Sequence, residues 1–162
     1  MILLKTKKSL SKEERVTFDK NTVKKQAVNF KQINQTLEKA YKSIKSAKAT
    51  LKINPEDSFT LAYESMLKTT LALMLSHGFR PRVQLGHHKT LVEFAKLVLK
   101  GKFSQLADTY DRMRKKRNKL LYDVASVGQT EASQAVAIAE KYFVVVENKI
   151  SEDNPQQKLW RP

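Results

Sequence analysis

Apolar residues recur along this chain at steps of three and four, in five stretches separated by scarce glycines and prolines. The first stretch, about residues 22–51, places Val23, Ala27, Phe30, Ile33, Leu37, Tyr41, Ile44, Ala47 and Leu51 on one stripe and predicts a long helix. Asn54-Pro55-Glu56-Asp57 predicts the start of the next. Asn caps, Pro suits the first helical position, and the two acids face the positive end of the helix dipole. That second helix carries Phe59, Tyr63, Met66, Leu67, Leu73 and Met74 and stops at Gly78. A loop through Phe79-Arg80-Pro81-Arg82 leads to a third helix over about residues 87–100, with Leu91, Phe94, Ala95 and Val98 as its apolar face. The fourth begins near Ser104 and the fifth covers about residues 130–149, with Ser126-Val127-Gly128 as the break between them.

No stretch shows sustained strand-like alternation, so the expected fold is an all-α, antiparallel bundle of about five helices. Residues 1–20 read as an irregular basic arm, with a short helix that Ser11 and Glu14 would cap. Residues 21–150 form the bundle domain. Residues 151–162 form a polar tail, apart from Leu159 and Trp160.

Charge changes this picture. The chain of 162 residues has a net charge of +15, and residues 1–54 alone carry 14 Lys/Arg against 4 Asp/Glu. A second concentration lies in the fourth helix, where Arg112, Arg114, Lys115, Lys116, Arg117 and Lys119 put six cations into eight positions. Such a distribution points to a polyanionic partner, RNA, DNA or an acidic protein, with Arg112, Arg114, Lys115, Lys116 and Lys119 as candidate contacts to a nucleic-acid backbone. Asp108, Asp111 and Asp123 are expected to neutralise part of the cluster.

Arg117 stands apart. The stripe of the fourth helix runs Phe103, Leu106, Tyr110, Met113, Leu120 and Val124, and position 117 falls on it between Met113 and Leu120. A guanidinium keeps its charge and is costly to bury unpaired. Arg117 must therefore reach water, meet an anion or line a polar groove.

Other chemistries find little support. There is no Cys, hence no disulfide framework, which fits a reducing cytosol and a cytoplasmic location. The opening Met-Ile-Leu-Leu-Lys is too short for a signal-peptide core, and no apolar run approaches the roughly 20 residues that span a bilayer. No glycine pattern cradles phosphates or a dinucleotide, no metal-ligand spacing is present, and no cofactor is expected. His87 and His88 are expected to open the third helix and to pack or hydrogen-bond locally. At most one of them can point toward the end of the fourth helix, because neighbours diverge by about 100°.

Arg117-Asn118-Lys119-Leu120-Leu121-Tyr122 resembles the motif of the HEPN superfamily, an Arg, a polar residue, three variable positions and a terminal His. Tyr63-Glu64-Ser65-Met66-Leu67-Lys68, Gly78-Phe79-Arg80-Pro81 and Gly86-His87-His88-Lys89-Thr90-Leu91 are similar to segments of an uncharacterised prokaryotic branch of that superfamily, and the resemblance covers about residues 57–150. It implies a helical bundle that acts as a homodimer, with two copies of the motif facing one cleft. It also implies RNA or nucleotide phosphate as ligand and, in many members, metal-independent RNA cleavage of the toxin type. Other members are non-catalytic modules, among them partners of a small nucleotidyltransferase. On this resemblance Arg117, Asn118 and Tyr122 are the catalytic candidates.

Tyr122 is a departure, since it stands where the motif has His; some branches of the superfamily look Tyr-terminated in the same way. A free imidazole titrates near 6.5 and a phenol near 10, so the obvious proton shuttle at neutral pH is missing. Helix geometry also sets Arg117 and Tyr122 about 140° apart around the axis.

Overall fold

The computed structural model describes Ile2–Leu3, Thr17–Phe18 and residues 21–162. Five helices make the body: α1 (Phe30–Thr50), α2 (Pro55–Ser76), α3 (His87–Val98), α4 (Ser104–Tyr122) and α5 (Gln129–Asp153). Four short strands accompany them: β1 (Ile2–Leu3), β2 (Thr17–Phe18), β3 (Val23–Lys25) and β4 (Phe79–Pro81). β1 pairs antiparallel with β2, and β3 with β4. The all-α bundle expected from periodicity is the observed architecture. The expected capped helix at Ser11 and Glu14, and most of the arm over residues 1–20, lie outside the described residues.

Helix α2 is the hub, packed against α1, α3, α4 and α5. Being surrounded, it buries more than one stripe, including Ser58, Ser65, Thr69 and Thr70. Most of their hydroxyls are satisfied by backbone carbonyls. Ser58 donates across to Ala47 O at 2.7 Å, and Thr69 and Thr70 donate back to Ser65 O and Met66 O at 2.8 Å. The Thr70 oxygen also meets the Tyr142 hydroxyl at 2.6 Å, tying α2 to α5 through a buried contact. The helix begins where the sequence placed it, with the Asn54 side chain accepting from the amides of Glu56 and Asp57. It ends at Gly78, whose φ of 79° is the left-handed conformation that a glycine adopts without a Cβ penalty.

Three boundaries differ from expectation. The long helix over residues 22–51 is a strand followed by a shorter helix. Val23 to Lys25 pair with Phe79 to Pro81, and α1 starts only at Phe30, where the Asn29 side chain accepts from the amide of Gln32. Val23 is buried either way, so hydrophobic spacing did not separate the two readings. Val124, placed on the α4 stripe, lies beyond the end of that helix and is fully exposed. The polar tail is also docked. Asn34 donates to Lys158 O and accepts from the Trp160 amide, Leu159 is buried, and Trp160 packs against Tyr41 and Phe143. Arg161 then pairs with the buried Glu147 at 2.8 Å.

The start of α1 is open to a test of sign. Asn29→Ala should destabilise the chain by about 1 kcal/mol in urea unfolding, because it removes a cap. A helix running unbroken through position 29 would be stabilised by the same change, since Ala has the higher helix propensity.

Candidate phosphate-binding site

Helices α3 and α4 run antiparallel. At one end Lys96 of α3 pairs with Asp111 at 3.0 Å and Asp108 at 3.5 Å; at the other, His88 lies within electrostatic reach of Arg114 and Arg117. The same two arginines act on Tyr63 of α2. Tyr63 and His88 are in contact, and Arg117 of α4 acts on both through its charge.

An aromatic row leads to this place from the core. Tyr142 and Tyr110 have ring centroids 5.4 Å apart, Tyr110 and Tyr63 5.9 Å, and Tyr63 and His88 5.9 Å. The row ends in a hydrogen bond of 3.1 Å between the Tyr63 hydroxyl and His88 Nδ1. His87, its ring edge-on to that of His88 at 4.4 Å, bonds through Nδ1 to Gln84 O. Both histidines thus open α3, but only His87 bonds locally as expected; His88 reaches back to Tyr63 of α2 instead. Burial pushes the Tyr63 phenol up, with Arg117 and Arg114 pulling only partly the other way. Burial, then the neighbouring His87, Arg117 and Arg114, lower His88 to about 4, against a weaker opposing pull from Glu64. The imidazole is therefore neutral at physiological pH.

The α4 cations divide sharply. Arg114 gives Nε and Nη2 to one oxygen of Asp111, each at 3.0 Å, and Lys115 approaches the other at 3.5 Å. Burial works to raise the Asp111 carboxyl, but bonds from Lys96 and Arg114 outweigh it and keep it ionised. Lys116 pairs with Glu131 at 3.5 Å, and Arg112 bonds to the Thr109 hydroxyl at 2.7 Å. Arg114, Lys115 and Lys116 are thus committed to acids of the chain itself. Lys119 is exposed, with no ion pair among the described residues.

Arg117 is half-buried, and its Nε is sealed from solvent without any hydrogen-bond acceptor. Among the described residues it has no carboxylate partner. A polar N–H left this way costs about 1–3 kcal/mol, more for a charged group, and among the described residues nothing offsets that cost.

Among the described residues no hydrogen bond links the three catalytic candidates, Arg117, Asn118 and Tyr122, which all lie on α4. Asn118 is half-buried, and neither it nor Tyr122 makes a hydrogen bond among the described residues. Tyr122 is 84% exposed on the last residue of α4, flanked by exposed Leu121 and Val124. What periodicity did not reveal is that Tyr63 and His88 are the near neighbours of Arg117. Among the described residues no three His, Asp or Glu side chains gather to hold a metal ion, and no helix is long and apolar enough to cross a membrane. Compared with known proteins, the chain matches no family model, no curated protein and no solved structure.

The sign of the His88 shift gives a test. A histidine that stays neutral in the fold takes up its proton first in the unfolded chain. Its contribution to stability is full above about pH 6.5 and is lost as pH falls through about 4. NMR titration of the His88 ring should give a midpoint near 4, and Arg117→Ala should raise it by removing a cation. An unmoved midpoint would mean that the ring and the guanidinium are not neighbours.

Proposed function

We propose that this chain is a HEPN-like helical module that binds RNA through its phosphates, with Arg117 as the residue that grips them. The observation that carries the reading is the Arg117 Nε, desolvated and without an acceptor, in a helix whose other buried-side cations are matched to acids. A tetrahedral phosphate can present two oxygens together, the bidentate acceptor that the planar guanidinium fork suits best. The segments that carry the family resemblance support the same place. Tyr63 from the first and His88 from the third are hydrogen-bonded, and Arg117 from the motif acts on both through its charge, although they come from three different helices.

The chain works as a homodimer in this reading. The exposed Leu121, Tyr122 and Val124, with Val83 and Leu85 in the loop before α3, lie toward the end of the bundle where α3 begins and α4 ends. Apolar groups gathered at one end are suited to being covered by protein. A second copy would cover them and bring its own Arg117 to the same cleft. Metal-independent RNA cleavage, in which a 2′-hydroxyl attacks the adjacent phosphate, requires a group that accepts the hydroxyl proton. Among the described residues Arg117 has no carboxylate beside it, and the nearby His88 is occupied at Nδ1 by Tyr63, so binding rather than cleavage is the activity assigned here. The same exposed end also favours a second reading, a non-catalytic module whose partner is a different protein, of the nucleotidyltransferase type.

Binding of a fluorescent single-stranded RNA, in EDTA and across salt concentrations, separates these readings. Arg117→Ala should weaken binding about tenfold or more and reduce the log–log salt slope by about 0.7, one phosphate's worth on a single strand. Lys119→Ala should lower affinity less. Wild-type affinity in the Arg117 variant would end the RNA-phosphate reading and leave the protein-partner one. Cleavage in EDTA that disappears in Arg117→Ala would add a nuclease step to the assignment.

A further inference from the structure

The buried hydroxyl of Tyr63 fixes how His88 carries its proton. Tyr63 sits in the core, and its hydroxyl has one hydrogen-bond partner, His88 Nδ1 at 3.1 Å. A phenol in that setting keeps its proton, and Nδ1 is the only acceptor that the described residues give it. If Nδ1 carried hydrogen instead, the phenol proton would be buried without an acceptor, an arrangement that folded proteins avoid. Nδ1 is therefore the acceptor, and the neutral ring holds its hydrogen on Nε2. This makes His88 a hydrogen-bond donor on its free edge, with no lone pair there to act as a base.

The charges around that edge are few. From α2 come Tyr63 and Glu64, the latter paired with Lys68 at 3.3 Å; from α3, His87; from α4, Arg114 and Arg117. Arg114 is held by Asp111, which leaves Arg117 as the cation without an acid among the described residues. The site thus offers one unmatched guanidinium and one uncharged donor.

We propose that His88 is the second phosphate-binding residue of this site, presenting Nε2–H to one oxygen of an anion that Arg117 holds, with Tyr63 as the positioning residue that sets the tautomer. This rests on the reading of Arg117 as a phosphate-binding group. Its content beyond that reading is a ligand preference. A single cation beside an uncharged donor matches the single negative charge of an internucleotide phosphodiester. A phosphomonoester dianion adds a second charge, and its tight binding would draw a proton from water onto His88 Nδ1, with the Tyr63 hydroxyl turning to accept from it.

The test uses the full chain with 15N-labelled histidine and arginine, at neutral pH, and dimethyl phosphate as the probe. In the free protein His88 should show hydrogen on Nε2 and a bare Nδ1. Dimethyl phosphate should shift His88 Nε2 and Arg117 Nε together along one binding curve. His88→Ala should weaken that binding on the order of tenfold, as loss of a hydrogen bond to a charged group does. His88→Gln, whose amide N–H can occupy the place of Nε2, should restore most of it. Unfolding curves for each variant separate lost binding from lost fold. Hydrogen on Nδ1 in the free protein, or a shift of Arg117 with His88 unmoved, would overturn the role of His88 alone. A probe that moves neither residue would overturn the reading of Arg117 with it. Dimethyl phosphate binding without RNA binding would keep this site and remove the nucleic-acid reading.

Discussion

The enclosure of α2 is the constraint on which the rest of the molecule depends. A helix contacted by four others keeps only one partly exposed face, through Glu64 and Lys68, so the polar side chains on its other faces need partners within the protein. Ser58, Thr69 and Thr70 do so through backbone carbonyls, and Thr70 with Tyr142 fastens α5. Tyr63 does so at the periphery of the core by reaching His88, the second residue of α3. The need to satisfy one phenol therefore decides where α3 begins relative to the core. Since α3 and α4 are joined by the Lys96–Asp111 and Lys96–Asp108 pairs, it also helps decide where Arg117 sits.

The basic cluster has two populations. On its length the chain spends its own acids: Asp111 serves Lys96, Arg114 and Lys115, and Glu131 serves Lys116. The lysine pairs are substantially exposed, of the kind worth little individually to stability, while Arg114–Asp111 is mostly buried. Their consequence is selective neutralisation, which leaves Arg117 as the half-buried cation with capacity to spare. A high formal charge is thereby reduced to one directional contact at the site, backed by a diffuse positive field from the rest of the chain.

The bundle was legible in the sequence because helix spacing and caps are local. Asn54-Pro55-Glu56-Asp57 contains everything needed to start α2, and the anomaly of an Arg on the α4 stripe is visible within one turn on either side. The start of α1 was not legible in the same way. Val23 and Ala27 continue its stripe by coincidence of spacing, and what makes residues 23–25 a strand is pairing with β4, over fifty residues away. Asn29 was the available local signal for a cap. The neighbours of Arg117 are hidden for the same reason. Tyr63 reads as one more core aromatic and His88 as a helix opener, and only packing three helices together makes them a site. The docked tail was half visible, since Leu159 and Trp160 interrupt an otherwise polar segment and are its anchors.

The small β3–β4 ribbon has a consequence for how the two basic regions act together. Its register sets Val23 against Pro81, and the Arg82 amide extends the contact to Thr22 O at 2.8 Å. The chain before Asn21, with six Lys/Arg in its 20 residues, is thus attached beside the loop that leads into His87 and His88, at the Arg117 end of the bundle. An anion held at Arg117 would meet those cations as members of the same tethered assembly, at an effective concentration set by a short stretch of chain rather than by the bulk solution. On the proposed reading, two basic elements joined in this way would act as one bivalent receptor for a strand of phosphates, and cutting the chain near Asn21 would separate them.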